Sequence, residues 1–145
     1  DLREAALQRM LVSAASSGVL QSAHDCAEGG AAITIAESCF DTGLGAVVDF
    51  NSIEAQDPQF NDAATLFGES ASRVVVSVRP ESVAALLECA AHEGVPVTRL
   101  GQVGGASIRI AIDGVPAIET ELVVAQRVWA GAIGAYFEGG HSDVR

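Results

Sequence analysis

Arg73-Val74-Val75-Val76-Ser77-Val78-Arg79-Pro80-Glu81-Ser82-Val83-Ala84-Ala85-Leu86-Leu87 is the stretch on which the fold turns. Its first half is dominated by β-branched residues, which suit a pleated surface, and predicts a strand over residues 73–78. Pro80-Glu81 then opens a helix, because proline tolerates the first helical turn and an acid favours its positive end. Val83, Leu86, Leu87 and Ala90 are expected to form its buried stripe, up to Gly94. Upstream, apolar residues at helical period (Leu2, Ala6, Met10, Ala14) predict a helix over residues 1–17, stopped by Gly18. A strand over 22–26, a helix over 31–39, a strand over 43–50, a polar loop over 51–62 and a helical turn over 63–67 follow. Downstream, residues 95–103 read as a strand, and Ile108, Ile110 and Ile112 alternate as in a half-buried one over 107–112. Asp113-Gly114 is a hairpin signal, with 115–118 as the short partner strand. An amphipathic helix over 121–137 carries Trp129, Tyr136 and Phe137 at packing intervals, which suit a core or an interface. Helices and strands that alternate and then end in a hairpin imply an α/β (α+β) fold, a mixed sheet with helices packed largely on one face. Residues 1–138 are expected to form a single domain and 139–145 a loose tail.

Composition narrows the function classes. With 145 residues, 49% of them hydrophobic, the chain can build one real core. Nineteen acidic residues against eight basic ones, all arginine, give a formal net charge of -11. That field has the wrong sign for nucleic acid and for an anionic membrane surface. No apolar stretch approaches the roughly 20 residues of a membrane-spanning helix. Cys26, Cys39 and Cys89 are odd in number and widely spaced, as buried free thiols in a reducing cytoplasm would be. Neither a signal peptide nor a transit segment is visible, and a chain opening on Asp1 suits a segment of a longer polypeptide.

Three constellations could carry chemistry. Ser22-Ala23-His24-Asp25-Cys26-Ala27-Glu28-Gly29-Gly30 sets an imidazole and two carboxylates beside paired glycines at a strand-to-helix junction, where backbone N–H groups could face a phosphate or Asp25 could hold magnesium. Equally, Asp25 and Glu28 could cap the helix while the glycines permit close packing. His24 and Cys26 alternate on a strand, but without a second ligand pair they make a poor zinc site. Leu66-Phe67-Gly68-Glu69-Ser70-Ala71-Ser72-Arg73 offers an acid, hydroxyls and a guanidinium fork able to grip a phosphate or ribose. The alternative is that Ser70 and Ser72 are turn residues and Arg73 pairs with a surface acid. Leu100-Gly101-Gln102-Val103-Gly104-Gly105 most simply relieves crowding and makes a turn. A serine hydrolase is disfavoured, since no Gly-x-Ser-x-Gly elbow is present, and a chain without lysine has no Walker phosphate loop.

Taken in order, these segments resemble the C-terminal domain of the phosphoribosylformylglycinamidine synthase family. Ser22-Ala23-His24-Asp25 with Glu28-Gly29-Gly30, Leu66-Phe67-Gly68-Glu69-Ser70 with Arg73, Leu100-Gly101-Gln102-Val103, and Val128-Trp129-Ala130-Gly131-Ala132-Ile133 are each similar to a family signature. The resemblance implies the C-terminal domain fold of the aminoimidazole ribonucleotide synthetase-like superfamily. It also implies an ATP-dependent reaction that converts formylglycinamide ribonucleotide and glutamine-derived ammonia to formylglycinamidine ribonucleotide in purine biosynthesis. Magnesium and ATP are the cofactors so implied for the whole enzyme, with the ATP-binding residues in a preceding domain. The partners are the preceding domains of the synthase, a glutaminase domain or subunit, and the ribonucleotide. On this footing Asp25 is the candidate metal ligand and Glu69, Ser70 and Arg73 the candidate substrate-binding residues. His24, Glu28, Gly29 and Gly30 support the loop, and no catalytic residue is assigned. Ala71 stands where the resemblance calls for glutamine, which removes hydrogen-bonding groups. The resemblance also implies two copies of this domain type in the synthase, one catalytic half and one structural, with this chain similar to the second. This copy is therefore expected to be structural or a degenerate half-site, inactive alone. The rival readings are a free-standing module that binds a phosphorylated metabolite and a domain of a related ATP-dependent synthetase.

Overall fold

The valine run becomes strand β3 (Val74–Val78), and its alternate side chains enter two different cores. The computed structural model describes residues 2–53 and 60–139. β3 pairs antiparallel with β1 (Leu20–Asp25) as a two-stranded ribbon, from Leu20 opposite Val78 to Asp25 opposite Val74. Val74, Val76 and Val78 lie against Leu7, Met10 and Ala14 of helix α1 (Leu2–Ser16) and Leu86 and Ala90 of helix α4 (Val83–Glu93). Val75 points the other way, to the core under the larger sheet. All five residues of β3 are half-buried, and Ser77, on the Val75 side, meets the Ser22 hydroxyl across the ribbon.

The larger sheet has four strands in the order β4-β2-β5-β6, formed by β2 (Ala46–Phe50), β4 (Gly101–Val103), β5 (Ser107–Ile112) and β6 (Val115–Glu121). β2 runs parallel to β5 and every other pairing is antiparallel. Ile108, Ile110 and Ile112 project from β5 onto Ala31, Ala32, Ile35 and Cys39 of helix α2 (Gly30–Phe40), with Ile108 and Ile110 each only 2% exposed. Leu66 from helix α3 (Asn61–Phe67) and Leu122 from helix α5 (Leu122–Gly139) complete this core. The opposite face of the sheet carries the Arg109–Glu119 ion pair at 2.8 Å and the exposed Val47, so the helices lie on one side. Asp113 and Gly114 adopt φ of 50° and 78°, the two positive values of a type I′ hairpin turn, and the Gly114 N–H donates to Asp49 Oδ1 at 3.1 Å. Gly101 is obligatory at the β4 edge, because a Cβ there would sit 2.0 Å from the Val47 carbonyl oxygen.

Several expected details shift. The ribbon is a sheet of its own beside the mixed one. The strand expected over 95–103 shortens to Gly101–Val103: Gly94 ends α4 in the left-handed region, and Pro96 has no N–H for a ladder. The strand expected over 115–118 extends to Glu121, and Pro116 sits at its register shift, where a missing donor is tolerated. Pro80 starts a single 3-10 turn, Pro80–Ser82, ahead of α4 proper. Leu2 and Leu87 are 89% and 48% exposed, and Leu7 takes the place of Leu2 in the α1 stripe. Cys26 and Cys39 are buried free thiols, burial pushing the Cys39 thiol upward, while Cys89 is half-buried. Gly139 belongs to α5, and residues 140–145 of the expected tail lie outside the described residues, as do residues 54–59 of the expected polar loop.

Ile110→Ala should cost about 2–5 kcal/mol in urea unfolding, the range for truncating a fully buried aliphatic side chain. A second expectation concerns acid. The Arg9 guanidinium, which donates to Glu93 at 2.8 Å, followed by His92, holds the Glu93 carboxyl below the usual carboxylate range. A depressed native value contributes stability that is full above the unfolded value and is lost as pH falls through the native one. The unfolding midpoint of Glu93→Gln should therefore fall less between neutral and acidic pH than that of the parent chain.

Candidate functional site

Two motifs that are far apart in the chain meet at one loop cluster. The Glu69 carboxylate accepts the Gly29 N–H at 3.0 Å, and the Cys26 N–H donates to the Arg73 carbonyl at 2.9 Å. Gly29 and Gly30 both adopt positive φ, 79° and 69°, at the entry to α2, and a Cβ on Gly30 would lie 2.7 Å from the Phe67 backbone. Only glycine allows that approach, which seats the first loop on the end of α3. A shallow cavity of about 240 Å³ opens between the loops, lined by Cys26, Ala27, Glu69, Ser70 and Ala71.

The Asp25–Cys26 peptide unit is held at both ends. Its carbonyl faces the buried Thr34 hydroxyl at 3.1 Å and His24 Nδ1 at 2.8 Å, while its N–H is taken by Arg73. The Thr34 hydroxyl, 3.0 Å from the Gly30 carbonyl as well, shares its single proton between the two oxygens. His24 Nε2 lies 3.3 Å from Glu37 Oε2. The other Glu37 oxygen accepts the Trp129 indole N–H at 3.2 Å, and Trp129 tilts against Phe40 with ring centroids 5.5 Å apart.

The candidate residues divide accordingly. The Arg73 guanidinium turns inward, 3.2 Å from the Gly68 carbonyl and 3.5 Å from Ser70 Oγ, rather than pairing with a surface acid. Ser72 takes a positive φ of 63° in the turn and donates to Glu4 of α1, which lowers the Glu4 carboxyl below its ordinary range together with a bond from Gln8. Glu28 is exposed, and Asp25 presents an exposed carboxylate 3.7 Å from His24. Cys26 is buried just beyond the end of β1, in the core that also takes Val75, the residue opposite His24. Among the described residues no three His, Cys, Asp or Glu side chains gather as a metal site would require. Magnesium takes octahedral oxygen ligation, so the single Asp25 carboxylate does not make a site by itself. Sequence reasoning did not find Thr34 and Glu37. The available signal was Glu37 as the one charge within the apolar run 31–39.

This architecture is that of a mixed α/β domain whose glycine-rich loop packs on a neighbouring helix end. Residues 1–113 match the family model described as AIR synthase related protein, C-terminal domain, and the chain belongs to that family. The match ends before β6 and α5. The phosphoribosylformylglycinamidine synthase subunit PurL of Thermobifida fusca is 49% identical over 106 residues, 72% of this chain and 13% of that protein. Its counterpart in Anaeromyxobacter dehalogenans (strain 2CP-C) is 39% identical over 139 residues, 92% of this chain and 18% of that protein. The chain thus spans less than a fifth of the length of these relatives. In structure it is similar to Thermotoga maritima PurL complexed with FGAR, with a TM-score of 0.73 and 20% identity over 84% of this chain and 20% of that one. The T. maritima PurL complexed with ATP gives 0.71 and 20% identity over 83% and 21%. These likenesses show the shared fold.

Gly30→Ala should lose more stability than the roughly 1–2 kcal/mol of a left-handed alanine, because the Phe67 backbone must also move. Thr34→Val, which keeps the shape and removes the hydroxyl, should cost about 1–3 kcal/mol by leaving a buried acceptor short of its donor. Denaturant titration of the two variants measures both effects.

Proposed function

We propose that residues 1–138 act as a single domain, the C-terminal domain of a phosphoribosylformylglycinamidine synthase. That enzyme uses ATP and glutamine-derived ammonia to convert formylglycinamide ribonucleotide to formylglycinamidine ribonucleotide. In this reading the loop cluster is a degenerate half-site with a structural role, and the domain turns over nothing alone. The observation that carries it is where the polar groups go: Glu69 caps the Gly29 N–H, and Arg73 holds Gly68 and Ser70. Groups engaged in this way hold the two loops together, and although Glu69 and Ser70 also line the cavity, part of their hydrogen-bonding capacity is already used within the protein. Ala71, on the cavity wall, offers no side-chain hydrogen bond. The family membership and the names of the relatives support the same reading.

Asp25 is the residue through which the domain would touch a magnesium ion, as one ligand among several supplied by other parts of the enzyme. Ser70, on the cavity wall, is the nearest candidate for a ribonucleotide contact. ATP would bind in a preceding domain, where magnesium would offset phosphate charge during transfer. The preceding domains and a glutaminase are the partners, and the setting is the cytoplasm. Among the described residues no helix is long and apolar enough to cross a membrane.

Calorimetric titration of the chain with Mg-ATP, Mg-ADP and formylglycinamide ribonucleotide tests this reading. No heat with any of the three is expected. Ribonucleotide binding that disappears in both Asp25→Asn and Glu69→Gln would instead make this copy a working half-site.

A further inference from the structure

We propose that Trp129, Glu37 and His24 are positioning residues that act in series, so that helix α5 sets the order of the loop at residues 25–30. The series begins at the Trp129 indole N–H, which donates to Glu37 Oε1 at 3.2 Å. The second carboxylate oxygen, Glu37 Oε2, faces His24 Nε2 at 3.3 Å. On the far side of that ring, Nδ1 lies 2.8 Å from the Asp25 carbonyl. The next residue along, Cys26, donates its N–H to Arg73, and Gly29 farther on reaches Glu69. The three side chains come from three elements, α5, α2 and β1, which have no covalent reason to move together.

Two features make this a link rather than a set of chance contacts. A carboxylate engaged through both oxygens is fixed in rotation as well as in place, so a displacement at one end is felt at the other. The Glu37 and His24 side chains are 29% and 37% exposed, so the bond between them is partly shielded from water, where such bonds carry more weight than on an open surface. Packing of Trp129 on Phe40 would hold the indole through its ring alone and would not need an acceptor at Nε1. The inference goes beyond the half-site reading and does not depend on the loop holding a ligand.

Hydrogen exchange followed by mass spectrometry, on the protein that carries this chain, tests it. Trp129→Phe keeps an aromatic ring beside Phe40 and removes the indole donor. Exchange in peptides spanning 25–30 should quicken by about 2- to 10-fold, the equivalent of one ordinary hydrogen bond. Peptides from β5 should be unchanged. Glu37→Ala should act at least as strongly, and adding Trp129→Phe to it should change nothing further. Glu37→Gln, which keeps a carbonyl acceptor and offers an amide donor, should fall between the parent and Glu37→Ala. The proposal is overturned by an unchanged loop in Trp129→Phe, by effects that multiply in the double variant, by equal quickening in β5, or by no rescue in Glu37→Gln. Ligand titration reads the half-site separately, so failure of either idea is distinguishable from failure of the other.

Discussion

The Asp25–Cys26 peptide unit, gripped at its carbonyl by Thr34 and His24 and at its N–H by Arg73, is the constraint from which the loop cluster follows. It fixes the direction in which the chain leaves β1, and so where the two glycines must turn into α2. Buried backbone groups must find partners, and here the partners come from a helix, a strand and a distant loop at once. The consequence is that β1, α2 and the Glu69 loop are placed relative to one another by a single amide plane. Gly30 then brings α2 against the end of α3 at a distance that no side chain would permit.

Much of this architecture could be read from the residues. The valine run, the Ile108-Ile110-Ile112 alternation and the Asp113-Gly114 turn are local signals, and each matches the element found. Strand ends were harder to place, because ladder partners set them. Pro96 ended one expected strand, whereas Pro116 sat harmlessly at a bulge, and nothing local separates the two cases. The separate ribbon was equally illegible, since a strand does not announce which sheet it joins. At the site, the sequence showed that residues 22–30 and 66–73 were unusual, but only the fold brings them together. Thr34 and Glu37 escaped notice because their significance lies in contacts at long range.

The inward turn of Arg73 also bears on how a family motif is interpreted. A guanidinium and a carboxylate in a loop suggest a grip on a phosphorylated ligand, yet here Arg73 bonds within its own loop and Glu69 bonds the Gly29 N–H of the neighbouring one.

The division of β3 between two cores has an evolutionary consequence. Val74, Val76 and Val78 share their packing with α1 and α4, while Val75 shares its packing with the helices under the larger sheet. Adjacent positions of one strand therefore belong to different neighbourhoods. In lineages that descend from this sequence, size changes at 74, 76 and 78 should be compensated in α1 and α4, while 75 drifts with α2 and β5. One short strand thus keeps two independent records of compensation, interleaved residue by residue.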